Sequence, residues 1–209
     1  MVNVFITGID GFIGSHLARF LLRKDVTIWG LLERGASSVN LEDIETRLNL
    51  VEGDLNDLDN LLDIISSIRP DIIFHMGGQT IDKLALARPH ETFRTNVMGT
   101  VNLLETMRQT LDNSKLVLVV NSDVHGRITP EMLPIDESTP LAPDTPLGAS
   151  HAAMDIIARQ YSNTYDLKVV IARTLYLMGP RQNMQFVVSE YAHKIARASL
   201  GFAEPVITA

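Results

Sequence analysis

A doubly wound α/β fold on a parallel sheet is what the sequence predicts, and three observations predict it. Short β-branched runs alternate with longer stretches of helical periodicity along the chain. A glycine-rich turn, running from Gly8 to Gly14, stands between the first such strand and the first such helix. The length of 209 residues suits one domain with a sizeable core.

The elements follow in order. Residues 2–7 read as a buried first strand, after which Leu17, Phe20, Leu21 and Leu22 recur at helical spacing. Residues 26–32 form the second strand and 48–51 the third. Residues 58–68 read as a helix that stops before Pro70, because proline disfavours helical backbone in its predecessor. Residues 71–75 are the fourth strand. Residues 92–111 read as one long amphipathic helix carrying Val97, Val101, Leu104 and Leu111, and 116–120 as the fifth strand. From Gly126 to Pro146, the prolines at 130, 134, 140, 143 and 146 predict a loop over the sheet. Residues 149–165 read as a helix, 168–172 as a strand and 186–200 as a last helix. No internal repeat, low-complexity tract or linker breaks the pattern, so residues 1–209 read as one domain.

Composition excludes several classes of function. A formal net charge of −7 argues against broad electrostatic binding to nucleic acid or to an anionic membrane. The absence of cysteine excludes a disulfide scaffold, a thiolate metal site and a cysteine nucleophile. The first residues lack the basic stretch and apolar run of a signal peptide, and no apolar run approaches the roughly 18–20 residues of a membrane span. A soluble, cytoplasmic protein is the expectation. His75, His125 and His151 have no metal-ligand spacing, so no metal site is expected.

Glycines at 8, 11 and 14 allow a tight turn and let backbone N–H groups approach a pyrophosphate at a helix N-terminus, with Phe12 and Ile13 opening that helix. A polar residue at the end of the second strand would then read the adenosine ribose. Glu33 there suits the ribose hydroxyls of NAD, whereas Arg34 with Ser37 or Ser38 suits the extra phosphate of NADP, so the preference stays open. Asp10 inside the turn would repel a pyrophosphate if it pointed inward, and is expected to point outward.

Thr7-Gly8-Ile9-Asp10-Gly11-Phe12-Ile13-Gly14-Ser15-His16-Leu17 resembles the extended short-chain dehydrogenase/reductase family, the NAD-dependent epimerases and dehydratases of nucleotide-activated sugars. The likeness continues through Gly53-Asp54-Leu55, through His75-Met76-Gly77-Gly78-Gln79-Thr80 and through Asn96-Val97-Met98-Gly99-Thr100, and reaches Gly179-Pro180-Arg181-Gln182. Within the family the chain is similar to GDP-mannose 4,6-dehydratases and GDP-6-deoxy-4-keto-mannose reductases. The resemblance implies a Rossmann-like domain, contacts from Asp54 and Leu55 to adenine, and Gly77 with Gly78 along the middle of the cofactor. It implies that Asn96 supports the strand beneath. It also implies a nucleotide-sugar ligand and a homodimer through the helices at 92–111 and 149–165. Relatives continue past Glu204 into a smaller sugar-binding lobe, which is expected to be largely missing here.

The family's hydride transfer depends on a Tyr-x-x-x-Lys pair with a Ser or Thr. The phenol is the general acid/base, and the ammonium lowers its pKa and holds the nicotinamide ribose. Here those positions carry Leu147, His151 and Asn121, and no tyrosine is followed four residues later by lysine. The ordinary chemistry is therefore expected to be impaired or absent. A rebuilt site would draw on Asn121, Asp123 and His151, the imidazole serving as acid/base or as a partner for ribose hydroxyls. Otherwise His125 and His151 are solvent-facing or hydrogen-bonded structural residues. A protein that has lost cofactor binding and works as an interaction module is the third class.

Overall fold

The computed structural model describes residues 1–202 and Glu204; residues 205–207, where the sequence reading sets the start of a sugar-binding lobe in relatives, lie outside the described residues. Contacts divide the chain into two compact units, Met1–Leu175 and Tyr176–Ala209.

The first unit contains a six-stranded parallel sheet of order β3-β2-β1-β4-β5-β6. Its strands are β1 (Val2–Thr7), β2 (Val26–Leu32), β3 (Asn49–Glu52), β4 (Ile72–His75), β5 (Lys115–Asn121) and β6 (Lys168–Thr174). The chain leaves β1 in one direction toward β2 and β3, and returns to β1's other side with β4. This reversal leaves a crevice outside the carboxyl ends of β1 and β4, where doubly wound sheets take their ligands. All six strands fall where the sequence places them, within three residues at every end, and β6 runs further than expected, through Arg173 and Thr174.

The core lies on both faces of the sheet. Phe5, Leu31, Ile73 and Leu116 meet Leu61 and Ile65 of α2 (Leu58–Ile68) and Leu103, Leu104 and Met107 of a later helix. Val4, Ile6 and Ile28, on alternate positions, meet Ile9, Leu41 and Ala18 of α1 (Phe12–Leu21) on the other face. Burial on both faces explains why β1 reads as a continuous apolar run rather than an alternating one. Helix α2 has the predicted bounds. Asp57 caps it by accepting from the Asn60 N–H at 3.0 Å, and Arg69 ends it in left-handed backbone at φ 47° before Pro70.

The helix expected at 92–111 is instead three pieces. They are α4 (Pro89–Phe93), a π-helical segment (Arg94–Met98) and α5 (Gly99–Thr110), preceded by an unforeseen α3 (Asp82–Ala87). The next helix, α6 (Pro146–Tyr165), begins three residues earlier than expected. Pro146 opens this helix rather than ending the loop before it. Proline is tolerated at the first helical position, and Thr145 caps the helix by accepting from the Gly148 N–H at 3.0 Å. The proline-rich loop also holds one short 3₁₀ turn, Pro130–Met132.

In the second unit, α7 (Val187–Ser199) follows a turn in which the Gln182 side chain donates to the Leu177 carbonyl at 3.0 Å and accepts from the Ser189 hydroxyl at 3.0 Å. Among the described residues no helix is long and apolar enough to cross a membrane, and no group of three His, Asp or Glu side chains is placed to hold a metal ion.

Candidate dinucleotide crevice

Thr7 ends β1 and the glycine turn follows at once. Gly8 has φ +68°, and a Cβ on it would lie 2.8 Å from the Gly77 nitrogen and the Met76 oxygen, so only glycine fits where the turn meets the end of β4. Gly11 closes the turn by donating to the Gly8 carbonyl at 3.1 Å and stands at the N-cap of α1 with no side chain to offer. A Cβ on Gly14 would meet the Gly8 oxygen at 2.1 Å, so the helix can start this close to the strand only with glycine there. Phe12 and Ile13 are half-buried in the first turn of α1, whose early N–H groups lie beyond the reach of intrahelical carbonyls. This is backbone suited to an anion.

The other predicted cofactor residues gather around the same strand ends. Gly77 follows β4, and a Cβ there would lie 3.1 Å from Leu55 Cδ1; one on Gly78 would lie 2.8 Å from Asn96 Oδ1. Leu55 is half-buried between Gly77 and Gly99, and its carbonyl accepts from Asn102 Nδ2 at 2.9 Å. Asp54 is exposed, and its carboxylate closes an Asx turn by accepting from the Asn56 N–H at 2.8 Å. Glu33 and Arg34 are both exposed beyond β2, in a turn closed by the Ala36 N–H donating to the Glu33 carbonyl at 2.9 Å. Either can swing toward a ribose, so geometry leaves the choice between NAD and NADP where the sequence leaves it. Asp10 is half-buried, and burial raises the pKa of its carboxyl. Its carbonyl accepts from Asn40 Nδ2 at 2.9 Å, tying the turn to the segment after β2.

Beyond Gly78 lie the positions that the resemblance assigns to the catalytic pattern. Leu147, at the tyrosine position, is 1% exposed and carries no proton to transfer. Its carbonyl accepts from the Ser150 hydroxyl at 2.8 Å. His151, at the lysine position, is buried beside the end of β5 rather than solvent-facing. The Asn121 N–H donates to its Nδ1 at 3.3 Å. That bond makes Nδ1 the acceptor, so the neutral ring carries its proton on Nε2, which is enclosed without a hydrogen-bond partner. Burial lowers the His151 pKa to about 4, so the ring is neutral at pH 7. Asn121 Nδ2 donates to Asp123 Oδ2 at 2.9 Å, while Asn121 Oδ1 is enclosed and unpartnered. The three residues named from sequence are thus brought together at the end of β5. His125 is also buried, with Nδ1 2.9 Å from the Pro140 carbonyl oxygen, so it pins the proline-rich loop.

The sequence reading missed a polar network under the crevice. His75, fully buried, lies between Thr7 Oγ1 at 2.7 Å and Thr100 Oγ1 at 3.0 Å. The Thr100 hydroxyl donates to the Asn96 carbonyl at 2.6 Å. Asn96 Nδ2 donates to the Gln79 carbonyl and to Ser150 Oγ, each at 2.9 Å, and Asn96 Oδ1 accepts from the Gln79 N–H at 2.8 Å. Asn96 therefore joins the loop after β4 to α6. One signal was present: Asn96 and Thr100 lie four residues apart in a stretch of helical periodicity.

Residues 5–208 match the family model for GDP-mannose 4,6 dehydratase. The chain belongs to this family. It is 30% identical over 199 residues to the GDP-6-deoxy-D-mannose reductase of Pseudomonas aeruginosa, a match covering 95% of this chain and 60% of that relative. Among solved structures, the family fold recurs in the UDP-glucose 4-epimerase of Thermus thermophilus in complex with NAD. There the TM-score is 0.85 at 29% identity, covering 96% of this chain and 63% of the other. It recurs again in RMD from Pseudomonas aeruginosa complexed with NADPH, at TM-score 0.81 and 27% identity, covering 98% and 63%. The chain thus spans about three fifths of the length of these relatives.

Proposed function

We propose that this chain binds NAD or NADP in the crevice at the ends of β1 and β4, and that it is impaired or inactive in the hydride transfer of its nucleotide-sugar epimerase, dehydratase and reductase relatives. It would serve as a cofactor sensor or as a structural partner of an active relative. One contrast carries this reading: the glycine cradle is closed so tightly that side chains are excluded at Gly8 and Gly14, yet the tyrosine position holds a buried Leu147. The residues present fit a dinucleotide. The first turn of α1 would face its pyrophosphate, Glu33 or Arg34 its adenosine ribose, Asp54 and Leu55 its adenine, and Gly77 with Gly78 its middle. When bound, the nicotinamide would supply a hydride donor or acceptor. What this chain lacks is the phenol that moves the accompanying proton. Nucleotide binding keeps the cytoplasm as the expected compartment.

The second reading, an active nucleotide-sugar oxidoreductase with a rearranged site, is favoured by the clustering of Asn121, Asp123 and His151. Titrating NADH and NADPH against Trp29 fluorescence, then supplying a GDP-4-keto-6-deoxy sugar, separates the readings. Binding without turnover is expected. Turnover abolished by His151→Ala establishes the second reading instead. Failure to bind either dinucleotide at millimolar concentration overturns both and leaves an interaction module. A homodimer through α5 and α6 belongs to the same proposal, and a monomer in sedimentation at micromolar concentration would refute it.

A further inference from the structure

We infer that His75 is a positioning residue for the dinucleotide: acting through the Thr7 hydroxyl, it holds the Gly8 turn and the Gly77 segment together as one binding surface. The inference rests on the dinucleotide reading above. Its basis is that every proton in the network can be assigned.

A carbonyl cannot donate, so the 2.6 Å contact between Thr100 Oγ1 and the Asn96 oxygen uses the Thr100 proton. His75 Nε2, 3.0 Å from the same hydroxyl oxygen, must then donate to it. At the other end, Thr7 Oγ1 accepts from the Gly77 N–H at 3.0 Å and from the Met76 N–H at 3.2 Å, the latter shared with the Thr7 carbonyl at 3.2 Å. Both of its lone pairs are engaged, so its single proton goes to His75 Nδ1 at 2.7 Å. The ring is therefore the neutral Nε2–H tautomer, and burial agrees by lowering its pKa to about 4.

The consequence is directional. With Nδ1 as acceptor, the Thr7 hydroxyl points its lone pairs at the Met76 and Gly77 amides and fixes the backbone after β4. Gly77 and Met76 are the atoms against which Gly8 packs, at 2.8 Å from where a Cβ would stand. One imidazole thus sets the spacing between the turn that would face the pyrophosphate and the glycines that would line the middle of the cofactor. None of this requires His75 to touch the ligand.

Two near-isosteric variants separate positioning from core filling. His75→Asn keeps an acceptor near the place of Nδ1 and gives up the bond to Thr100. His75→Gln keeps a donor near the place of Nε2 and gives up the acceptor for Thr7. Each loses one buried hydrogen bond, so their melting temperatures should fall alike. NADH or NADPH affinity should stay within about threefold of wild type for the Asn variant and weaken about tenfold for the Gln variant, the scale of one buried hydrogen bond. ¹⁵N resonances of the ligand-free wild-type imidazole should report the neutral Nε2–H form at pH 7.

Equal affinities in the Asn and Gln variants, or an imidazolium or Nδ1–H ring, would overturn the role of His75 while leaving the dinucleotide reading standing. A wild-type protein with the predicted tautomer but no dinucleotide binding would remove the dinucleotide reading, and this role with it. Should the His75 variants not fold, Thr7→Ser against Thr7→Val makes the same comparison. The hydroxyl-bearing variant is expected to bind and the valine variant to bind about tenfold more weakly, whereas equal binding would sink the inference.

Discussion

Gly14 is the residue with the least room. An alanine there would press its Cβ against the Gly8 carbonyl at 2.1 Å, and the neighbouring atoms are backbone, so the turn itself must move. Gly14→Ala should destabilise the protein by more than about 2 kcal/mol in urea unfolding and remove dinucleotide binding. Asp54→Asn, on the exposed side of the same crevice, keeps an oxygen for the Asx turn and should change stability by less than about 0.5 kcal/mol. Two of the buried histidines, His75 and His151, set the acid limb. His75 and His151 both have pKa values of about 4 when folded, against 6.5 as the ordinary value, so the folded state binds fewer protons than the unfolded state in that window. Stability should therefore be full above pH 6.5 and fall as the pH drops toward 4, by on the order of 3 kcal/mol per histidine. Urea unfolding across this range measures it, and His151→Asn should make the slope shallower. At this scale the glycines were legible from their spacing, and Leu147 and His151 from the positions that the family resemblance assigns them. The burial of His151 was not, because a histidine on a helix gives no sign of which face it occupies until the helix is docked.

Helix α6 shows what an element adds to its residues. Its Asp155 is fully buried between Arg173 of β6, at 2.9 Å, and Arg159 one turn on, at 2.6 Å. Arg173 thus binds strand to helix. Arg173→Met should cost about 3 kcal/mol in chemical denaturation, since Asp155 would keep only the half-exposed Arg159. A change below about 0.5 kcal/mol would show that Arg159 suffices. Periodicity predicted α2 with correct ends because capping, apolar spacing and Pro70 all agree there. It ran α4, the π-helical segment and α5 together, because one inserted residue in the ladder barely alters the apolar pattern. That insertion lies where Asn96 turns toward Gln79 and Ser150. The extra residue and the buried amide belong to one local device. Helix α3 escaped notice because six residues are too few for a period to register.

At the scale of the molecule, strand order decides where chemistry can happen. The sequence supplied the strands and the glycine turn but not the strand order, because more than one doubly wound order obeys the right-handed crossover rule. The chain reverses at β1, and the polar groups singled out from sequence collect at the carboxyl ends of β1 to β5. What no periodicity could supply is the division at Leu175, since it depends on which segments touch rather than on what each one is. The proposed pairing of a working cofactor cradle with a missing proton-transfer group can be read in one experiment, in which stoichiometric protein and NADPH are mixed with a GDP-4-keto-6-deoxy sugar and nicotinamide absorbance is followed through a single turnover. Tight NADPH binding with absorbance unchanged beyond the no-protein control is the expected result; oxidation of one NADPH per chain would contradict it.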